Sequence, residues 1–259
     1  MEVSFSKYQG AGNDFIMLNN LDGGYNELDE EWVRFLCDRK FGIGADGLIR
    51  LNSHSHLPFE MDFFNPDGSK SFCGNGARCT VAFAEQLGFD VSNIRFEAID
   101  GMHSASKHGD LISLEMNEVK GFETSGEDFI LYTGSPHYIR FEKPGEEIDL
   151  VEFGRHVRYS DKYFSEGINV NLVKVIEPNR LNVGTYERGV ENETLSCGTG
   201  VTACALAASL VLDSHGFQRF LIDTKGGQLS VEFLRHESGF SKIKLTGPAV
   251  FVFKGVINV

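Results

Sequence analysis

Cys-Gly-Asn-Gly at residues 73–76 recurs as Cys-Gly-Thr-Gly at residues 197–200, roughly half the chain length further along the 259 residues. Three more pairs of segments repeat in the same order at nearly the same spacing: 42–43 with 167–168, 48–51 with 172–175, and 61–68 with 183–190. Residues 10–13 have a fainter counterpart at residues 133–136. Because several ordered matches at one spacing are not expected by chance, the sequence predicts two duplicated domains.

Each half combines short strands with one long apolar segment after its Cys-Gly motif. Residues 77–87 and 201–212 carry Ala, Val, Leu, Phe and Cys on nearly every side, and a helix that is apolar all round is a buried one. A surface helix is predicted at residues 30–38 from apolar residues at helical spacing. The predicted strands include 3–8, 111–116, 130–133, 228–234 and 242–245. The sequence therefore predicts an α+β fold of two pseudosymmetric domains, each a curled, mostly antiparallel sheet around a central helix.

A polar stretch with two glycines, residues 118–126, marks the predicted domain boundary. We expect an N-terminal domain at residues 1–118 and a C-terminal domain at residues 119–248. The last strand, residues 249–259, is in a position to return to the first domain.

Composition and charge narrow the class of protein. Hydrophobic residues make up 41% and charged residues 24%, as in ordinary globular chains. The net charge of −13 repels phosphate backbones, so neither nucleic acid nor an anionic membrane is an expected partner. The sequence opens without a basic, apolar leader, and five cysteines without a secretion signal favour reduced thiols. These features predict a soluble cytoplasmic protein.

The two repeated cysteines, Cys73 and Cys197, each precede the start of a predicted buried helix. Unsatisfied backbone N–H groups and the helix dipole at such a site favour an anion, and the same field lowers the pKa of a thiol. Two such thiols, related by duplication, are expected to face each other across a cleft. A thiolate that removes a proton and a thiol that delivers one to the opposite face together invert a carbon centre. This chemistry needs no cofactor, and the sequence carries no cofactor motif.

The other cysteines, Cys37, Cys79 and Cys204, are interpreted as core residues, which is the usual place for a small apolar thiol. No metal site is predicted. Cys73 and Cys79 are too far apart in sequence for a zinc-binding pair, and two histidines in the loop at residues 52–56 do not make a metal site by themselves.

Five motifs resemble those of the diaminopimelate epimerase family, in that family's order and over essentially the whole chain. They are GAGNDF at 10–15, FGIGADG at 41–47, FNPDGS at 64–69, CGNGARC at 73–79, and YERGV at 186–190 followed by CGTG at 197–200. The resemblance implies the family's two-domain fold, a homodimer, and cofactor-free interconversion of LL- and meso-diaminopimelate. It also implies a place in the synthesis of lysine and peptidoglycan precursors.

The resemblance implies a role for each matching residue. Cys73 and Cys197 would be the acid/base pair, and His137 with Glu187 would tune the pKa of the thiols. The expected substrate contacts are Gly74, Asn75, Gly198 and Thr199 for the reacting carboxylate, Asn65, Asn169 and Arg188 for the distal carboxylate, Glu187 for an ammonium group, and Asn13 for the reacting end. The chain departs from the family's pattern in four places. Gly47 and Ser135 stand where many members have Gln and Asn, residues 191–194 replace a more usual Gly-Glu-Thr turn, and Phe253 stands where some members place an interface Tyr.

Two other functions remain open on sequence. A proline or hydroxyproline racemase would use the same two cysteines. It would not need Asn65, Glu187 and Arg188 for a second amino-acid head, and its first motif usually carries His where Asn75 stands. A non-catalytic, duplicated anion-binding module would leave both cysteines unexplained.

Overall fold

The computed structural model describes residues 2–258, which divide into two compact units. One unit runs up to Leu114 and resumes at Gly247, and the other is Glu115–Thr246. The elements of the first unit are β1 (Glu2–Gly10), β2 (Asn13–Asn20), α1 (Glu30–Cys37), β3 (Gly47–Asn52), β4 (Glu60–Phe64), α2 (Gly74–Gln86), β5 (Ile94–Ala98), β6 (Gly101–His108), β7 (Leu111–Glu115) and β17 (Val250–Asn258).

The second unit is built from a parallel set of elements. They are β8 (Glu123–Ser125), β9 (Asp128–Tyr132), β10 (Pro136–Phe141), α3 (Leu150–Arg158), β11 (Asn169–Glu177), β12 (Arg180–Glu187), β13 (Asn192–Thr194), α4 (Gly198–Val211), β14 (Gly216–Thr224), β15 (Gly227–His236) and β16 (Gly239–Pro248).

Both units pair their strands in the same order. The first runs β17-β1-β2-β3-β4-β5-β6-β7, with β2–β3 and β4–β5 parallel and the other pairs antiparallel. The second runs β8-β9-β10-β11-β12-β14-β15-β16, with β10–β11 and β12–β14 parallel in the matching places. The predicted α+β fold with a duplicated, mostly antiparallel sheet is confirmed.

The two buried helices occupy matching positions. α2 is buried from Gly74 to Ala84 and packs against β1, β2 and β3, and α4 packs against β10, β11 and β15. Both begin three residues before the apolar segments that predict them, because each starts directly after its cysteine. No helix within residues 2–258 combines the length and apolar character needed to cross a bilayer.

The two surface helices differ in how well the sequence predicts them. α1 is confirmed, and the Asp29 side chain caps its first turn. α3 was not predicted, because it has only nine residues and a glycine near its middle. A Cβ atom at Gly154 would lie 2.5 Å from Cβ of Tyr186, so only glycine lets α3 approach β12 this closely.

Candidate active site

The first half-site is the start of α2, where Cys73 is the N-cap residue. Its backbone is extended, with φ −133° and ψ 114°, and its Sγ accepts a hydrogen bond from the Gly76 N–H at 3.4 Å. Sγ also lies 3.7 Å from Oδ1 of Asn13. Because the thiol caps the helix itself, the N-terminal field of α2 acts directly on sulfur.

Asn13 and Asn75, both predicted to contact substrate, lie together beside Cys73. Asn75 Nδ2 donates to Asn13 Oδ1 at 3.3 Å, and Asn75 Oδ1 accepts from Nη2 of the fully buried Arg78 at 2.8 Å. Asn13 Nδ2 in turn donates to Asp46 Oδ2 at 2.7 Å. These bonds fix the orientation of both amides.

Asp46, which accepts from the Asn13 amide, belongs to a cluster of charged residues. Arg39 bridges Asp14 and Asp46, each at 2.6 Å, and Lys7 pairs with Asp14 at 2.8 Å. Burial raises the pKa of Asp14, but hydrogen bonds from Arg39 and Lys7 outweigh it and lower that pKa to about 2. The carboxylate therefore stays ionised at neutral pH and ties β2 to the loop between α1 and β3.

Asn65 lies at the end of β4, in the turn that precedes Cys73. Its Nδ2 is within 3.1 Å of Ser69 O, Ser69 Oγ and Ser71 Oγ, and its backbone N–H donates to Ser69 O. The side chain thus closes its own turn. A ligand carboxylate at this place would have to compete for, or share, an amide that is already bonded.

The space beside Gly47 is filled by an aromatic ring. A Cβ atom on Gly47 would lie 2.3 Å from Cε2 of Phe63 and 2.8 Å from the Phe64 carbonyl oxygen. Phe63 also packs edge-to-face on Phe15, with ring centroids 5.9 Å apart. The departure from Gln at this position is therefore matched by a neighbour that occupies the volume a longer side chain would need.

The second half-site is the start of α4, with Cys197 as N-cap residue. Its φ of −121° and ψ of 112° repeat the backbone of Cys73, but its side chain makes no capping bond. Instead Sγ lies 3.5 Å from the hydroxyl of Thr199, a residue predicted to bind the reacting carboxylate. The backbone frame is repeated, whereas the group that touches sulfur is different.

A buried imidazole connects to this thiol through Thr199. Nε2 of His137 lies 2.9 Å from Thr199 Oγ1 and 2.9 Å from Ser135 Oγ. Nδ1 of His137 lies 3.1 Å from Asn171 Nδ2. The Asn171 oxygen accepts from Thr185 Oγ1 at 2.8 Å, which fixes the amide with its NH₂ group toward the ring.

These contacts define the protonation state of His137. Burial, reinforced by the charge of Arg188, lowers the pKa of His137 to about 3. The imidazole is therefore neutral at physiological pH. Because Nδ1 accepts from Asn171, the proton lies on Nε2, and this single N–H faces the Thr199 and Ser135 hydroxyls. Thr199 is then able to donate to the sulfur of Cys197.

Asn169, Glu187 and Arg188 lie at one end of the β11–β12 pair. Asn169 Nδ2 lies 3.1 Å from Ser135 Oγ, and its oxygen accepts from the Arg188 N–H at 2.9 Å. The Arg188 guanidinium donates to the Glu166 carbonyl at 2.8 Å through Nη1. Asn169 therefore links the turn that carries Arg188 to the Ser135–His137 network.

The structure gathers the predicted site residues into two groups, one in each unit. Asn13, Asn65 and Cys73–Asn75 belong to the first, and His137, Asn169, Glu187–Arg188 and Cys197–Thr199 belong to the second. The remaining cysteines lie in the core: Cys79 and Cys204 are fully buried and Cys37 nearly so. Burial raises the pKa of all three thiols. No metal-binding group of three His, Cys, Asp or Glu occurs within residues 2–258.

Two supporting residues were missed in the sequence. Asn171 was identifiable, since Asn169 and Asn171 place polar side chains on one face of an otherwise apolar strand. Arg78 was quoted only as part of a motif, and nothing in the sequence reveals that its guanidinium is completely buried.

Comparison with known proteins adds a family and a fold. A family model described as diaminopimelate epimerase matches residues 5–120 and 129–252. The diaminopimelate epimerase of Flavobacterium psychrophilum is 44% identical over 253 residues, with 97% of this chain and 98% of that protein covered.

Two solved structures are similar in fold. One is a Bacillus anthracis phenazine biosynthesis protein of the PhzF family, with TM-score 0.76, 12% identity and 100% of both chains covered. The other is a hydroxyproline epimerase from Agrobacterium vitis with bound trans-4-hydroxy-L-proline, with TM-score 0.68, 14% identity, and 99% and 91% covered.

Proposed function

The chain belongs to the diaminopimelate epimerase family, and from that membership we propose that it interconverts LL- and meso-2,6-diaminopimelate without a cofactor. The observation that carries the proposal is the repeated use of a cysteine as the N-cap of a buried helix, once in each unit. Two acid/base groups of the same kind suit a reaction that must run in both directions.

In the proposed reaction, Cys73 and Cys197 act on opposite faces of one α-carbon. The thiolate removes the α-proton, and the thiol of the other cysteine donates a proton to the opposite face, so the two exchange roles when the reaction reverses. Each positioned acid or base contributes about 10²–10⁴ in rate. The negative charge that develops next to the carboxylate is stabilised by the N–H groups at the helix starts.

The substrate contacts are proposed from the same two groups of residues. Backbone N–H groups of Gly74, Asn75, Gly198 and Thr199 hold the reacting carboxylate, and Asn13 contacts the reacting end. Asn65, Asn169 and Arg188 hold the distal carboxylate and Glu187 holds an ammonium group. The residue types fit, since Arg pairs bidentately with carboxylates and Glu pairs with ammonium. His137 and Glu187 tune the thiols.

The same residues favour diaminopimelate over proline. Diaminopimelate has a second amino-acid head, which needs a cation for its carboxylate and an anion for its ammonium. Glu187, the last residue of β12, and Arg188, which follows it, supply both, and Asn169 accepts a hydrogen bond from the Arg188 backbone N–H. A proline substrate has no second head, so under the racemase alternative this charged pair would have no substrate group to bind.

A homodimer is proposed from the contrast between two edge strands. β17 pairs with β1 along eight positions, and its Val250, Phe251, Val252 and Phe253 are each 45–51% exposed. β8, its counterpart in the second unit, has only three residues, all polar and exposed. A short polar edge resists strand addition, whereas a long apolar edge is an association surface. We propose that β17 meets its copy in a second chain.

We also propose that the protein works in the cytoplasm, in the synthesis of lysine and peptidoglycan precursors. A mechanism with two thiols requires a reducing compartment, because oxidation would remove both acid/base groups. The net charge of −13 disfavours nucleic acid and anionic membranes as partners.

The test is proton NMR of LL-diaminopimelate with reduced protein in D₂O. We expect the meso isomer with solvent deuterium at the inverted carbon, and no turnover in Cys73→Ala or Cys197→Ala. Cys204→Ala, a fully buried thiol of α4, is the matched control and should retain activity. Exchange with proline but not with diaminopimelate would support the racemase instead, and turnover that survives both active-site substitutions would refute the two-thiol mechanism.

A further inference from the structure

Arg158, the last residue of α3, binds the segment that connects α3 to β11. Its Nη1 donates to the carbonyl oxygens of Tyr163 and Phe164, both at 3.2 Å. The Arg158 side chain is only 15% exposed, so these carbonyls take the place of water as its partners. Because a guanidinium carries its N–H donors in one rigid plane, it holds several acceptors at fixed positions. Arg158 therefore fixes the course of the connecting segment.

The same segment holds the side chain of Arg188. The Glu166 carbonyl accepts from Arg188 Nη1 at 2.8 Å. At the next residue, Gly167, a Cβ atom would lie 2.6 Å from Cδ of Arg188 and 2.8 Å from Cζ of Arg158. Both arginine side chains thus pack against one glycine that leaves them no room for a side chain of its own. The segment that Arg158 fixes is the one that orients the Arg188 guanidinium.

Arg158 also contacts the turn that carries Arg188, which is residues 188–191 between β12 and β13. Its Nε lies 3.3 Å from Glu191 Oε1, as an ion pair without hydrogen-bond geometry. Glu191 accepts from the Gly189 N–H at 3.1 Å and from the Tyr186 hydroxyl at 2.9 Å. Burial raises the pKa of Glu191, but these two hydrogen bonds and the charge of Arg158 outweigh it and lower that pKa. The ionised carboxylate therefore ties the turn to both α3 and β12.

The backbone of Glu191 shows that this turn depends on the glutamate side chain. Its φ is +58°, a conformation that residues with a Cβ atom rarely adopt. Its N–H donates to the Glu187 carbonyl at 2.8 Å, which closes the turn. The contacts of the Glu191 carboxylate with Arg158, Gly189 and Tyr186 thus stabilise a turn that the backbone of a glutamate alone does not favour.

We propose that Arg158 is a positioning residue for Arg188, because it fixes both the segment that binds the Arg188 guanidinium and the turn that carries it. Arg158 itself does not touch substrate. Since the guanidinium is held in place before a ligand arrives, less conformational entropy is lost when a carboxylate binds to it. The inference rests on the proposed function only for the identity of that carboxylate, the distal one of diaminopimelate. The fixing of Arg188 is a property of the ligand-free protein.

The first test measures, without substrate, how firmly the turn is held. Native protein is treated briefly with trypsin, and mass spectrometry gives the rate of cleavage after Arg188, which requires the turn to open. Arg158→Met removes the charge and the donors but keeps an unbranched chain, and it should raise this rate at least about fivefold. Cleavage after Arg180, at the other end of β12, is the internal reference and should not change. Arg155→Met, exposed on the same helix, is the matched control and should change neither rate.

A double-mutant cycle tests whether Arg158 acts through Arg188. Alone, Arg158→Met should raise KM for diaminopimelate about tenfold and change kcat by less than about threefold. In the Arg188→Ala background the same substitution should change kcat/KM by less than about twofold, because no guanidinium remains to be positioned. Additive losses would show that Arg158 contributes independently of Arg188 and would overturn the inference.

Glu191→Gly is a second variant that keeps the inference testable if Arg158→Met does not fold. Glycine suits the positive φ of residue 191, so this variant should fold, yet it lacks the carboxylate and should also be cleaved faster after Arg188. Cleavage as slow as in the unmodified protein, in either folded variant, would overturn the inference. If the unmodified protein does not turn over diaminopimelate, the proposed function fails, whereas the trypsin measurement still decides whether Arg158 fixes Arg188.

Discussion

The two half-sites share a backbone frame and differ in how they treat sulfur. Cys73 and Cys197 have nearly the same φ and ψ, and a threonine in the first turns of each helix bonds back to a carbonyl, Thr80 to Gly76 and Thr202 to Gly198, both at 2.9 Å. Beside Cys73 the supporting groups are the amides of Asn13 and Asn75, and the buried Arg78 bonds to Asn75. Around Cys197 they are hydroxyls and a buried neutral imidazole.

This difference has a chemical use. A two-base reaction needs one thiolate and one thiol at the same moment. Two identical, interacting thiols would titrate as a pair, and neither would have a defined role at rest. In the proposed reaction, the unlike residues around the two cysteines are what distinguishes one thiol from the other. The duplicated helix start is therefore repeated in both units, whereas the residues that contact the two sulfur atoms differ.

The largest expected difference is between substitutions in two corresponding turns, the one after β4 and the one after β12. The quantity compared is the loss of kcat/KM. Arg188→Ala should lower kcat/KM by about 100-fold, because a charge-assisted grip on a carboxylate is worth about 1.5–3 kcal/mol. Asn65→Ala should cost about tenfold, since its amide is neutral and already bonded within its turn. Steady-state kinetics decide this, with Arg219→Ala on β14 as the surface control. A loss below about threefold for Arg188→Ala would remove it from the site.

The second comparison concerns acid stability. The pKa of His137 is lowered to about 3, so the unfolded chain binds a proton at this residue that the native protein rejects. Its stabilising contribution is complete above the unfolded pKa near 6.5 and is lost as the pH falls toward 3. Between pH 7 and 5 the loss should be about 2 kcal/mol. Asp14 in the first unit, with its pKa lowered to about 2, contributes a loss only below about pH 4.

Urea unfolding at pH 7, 6 and 5 measures this dependence. His137→Gln should flatten it, and His103→Gln in the first unit should not. An equal slope in the His137→Gln variant would show that another group carries the acid sensitivity.

The third comparison sets the β17 edge strand against an exposed phenylalanine on β14, a strand paired on both sides. Phe253→Glu places a charge on the apolar β17 edge and should weaken self-association at least about tenfold, since burying an unpaired charge costs several times RT. Analytical ultracentrifugation measures the dissociation constant. Phe217→Glu on β14, which alters a phenylalanine that is 64% exposed in the second unit, is the matched control. If both variants associate as the unmodified protein does, the interface lies elsewhere.

The smallest effect is expected at Ser135. Its hydroxyl contacts His137, Thr199 and Asn169 within 3.1 Å, so the short side chain already satisfies the network. Ser135→Asn should change kcat/KM by less than about threefold, a free-energy change under about 0.7 kcal/mol. Ser135→Ala, which removes the hydroxyl, should cost more. A larger loss of kcat/KM in Ser135→Asn than in Ser135→Ala would show that the space around Ser135 does not accommodate the longer asparagine side chain.

Much of the fold was readable because its signals are local. The repeated Cys-Gly motif and the apolar segments after it predict both buried helices, since a helix that is apolar on all sides has only one stable location. The sequence did not predict α3 because Gly154 lowers its helix propensity. A glycine is needed there because α3 lies close to Tyr186 on β12. The cap was visible, however: Asp149 accepts from the Glu152 N–H at 2.8 Å, a spacing typical of helix starts.

Candidate site residues were predicted from residue type and motif, whereas the residues that support them by packing were not. A cysteine directly before a buried helix predicts a reactive thiol. The neutral state of His137 depends on its burial, and its contact with Asn171 forms across the β10–β11 pair, so neither can be read from the residues next to His137 in sequence. The burial of Arg78 likewise depends on the strands that surround α2.

The position of β17 sets an order for folding during synthesis. The second unit is continuous in sequence, from Glu115 to Thr246, whereas the first needs β17 to cover the outer edge of β1. On the ribosome the first unit is therefore made first and finished last, with an unpaired strand edge exposed while the whole second unit emerges. Chains released before about residue 250 would carry that open edge permanently, and open edges recruit other chains. Premature termination should thus yield an aggregating first half beside a second half that is able to fold.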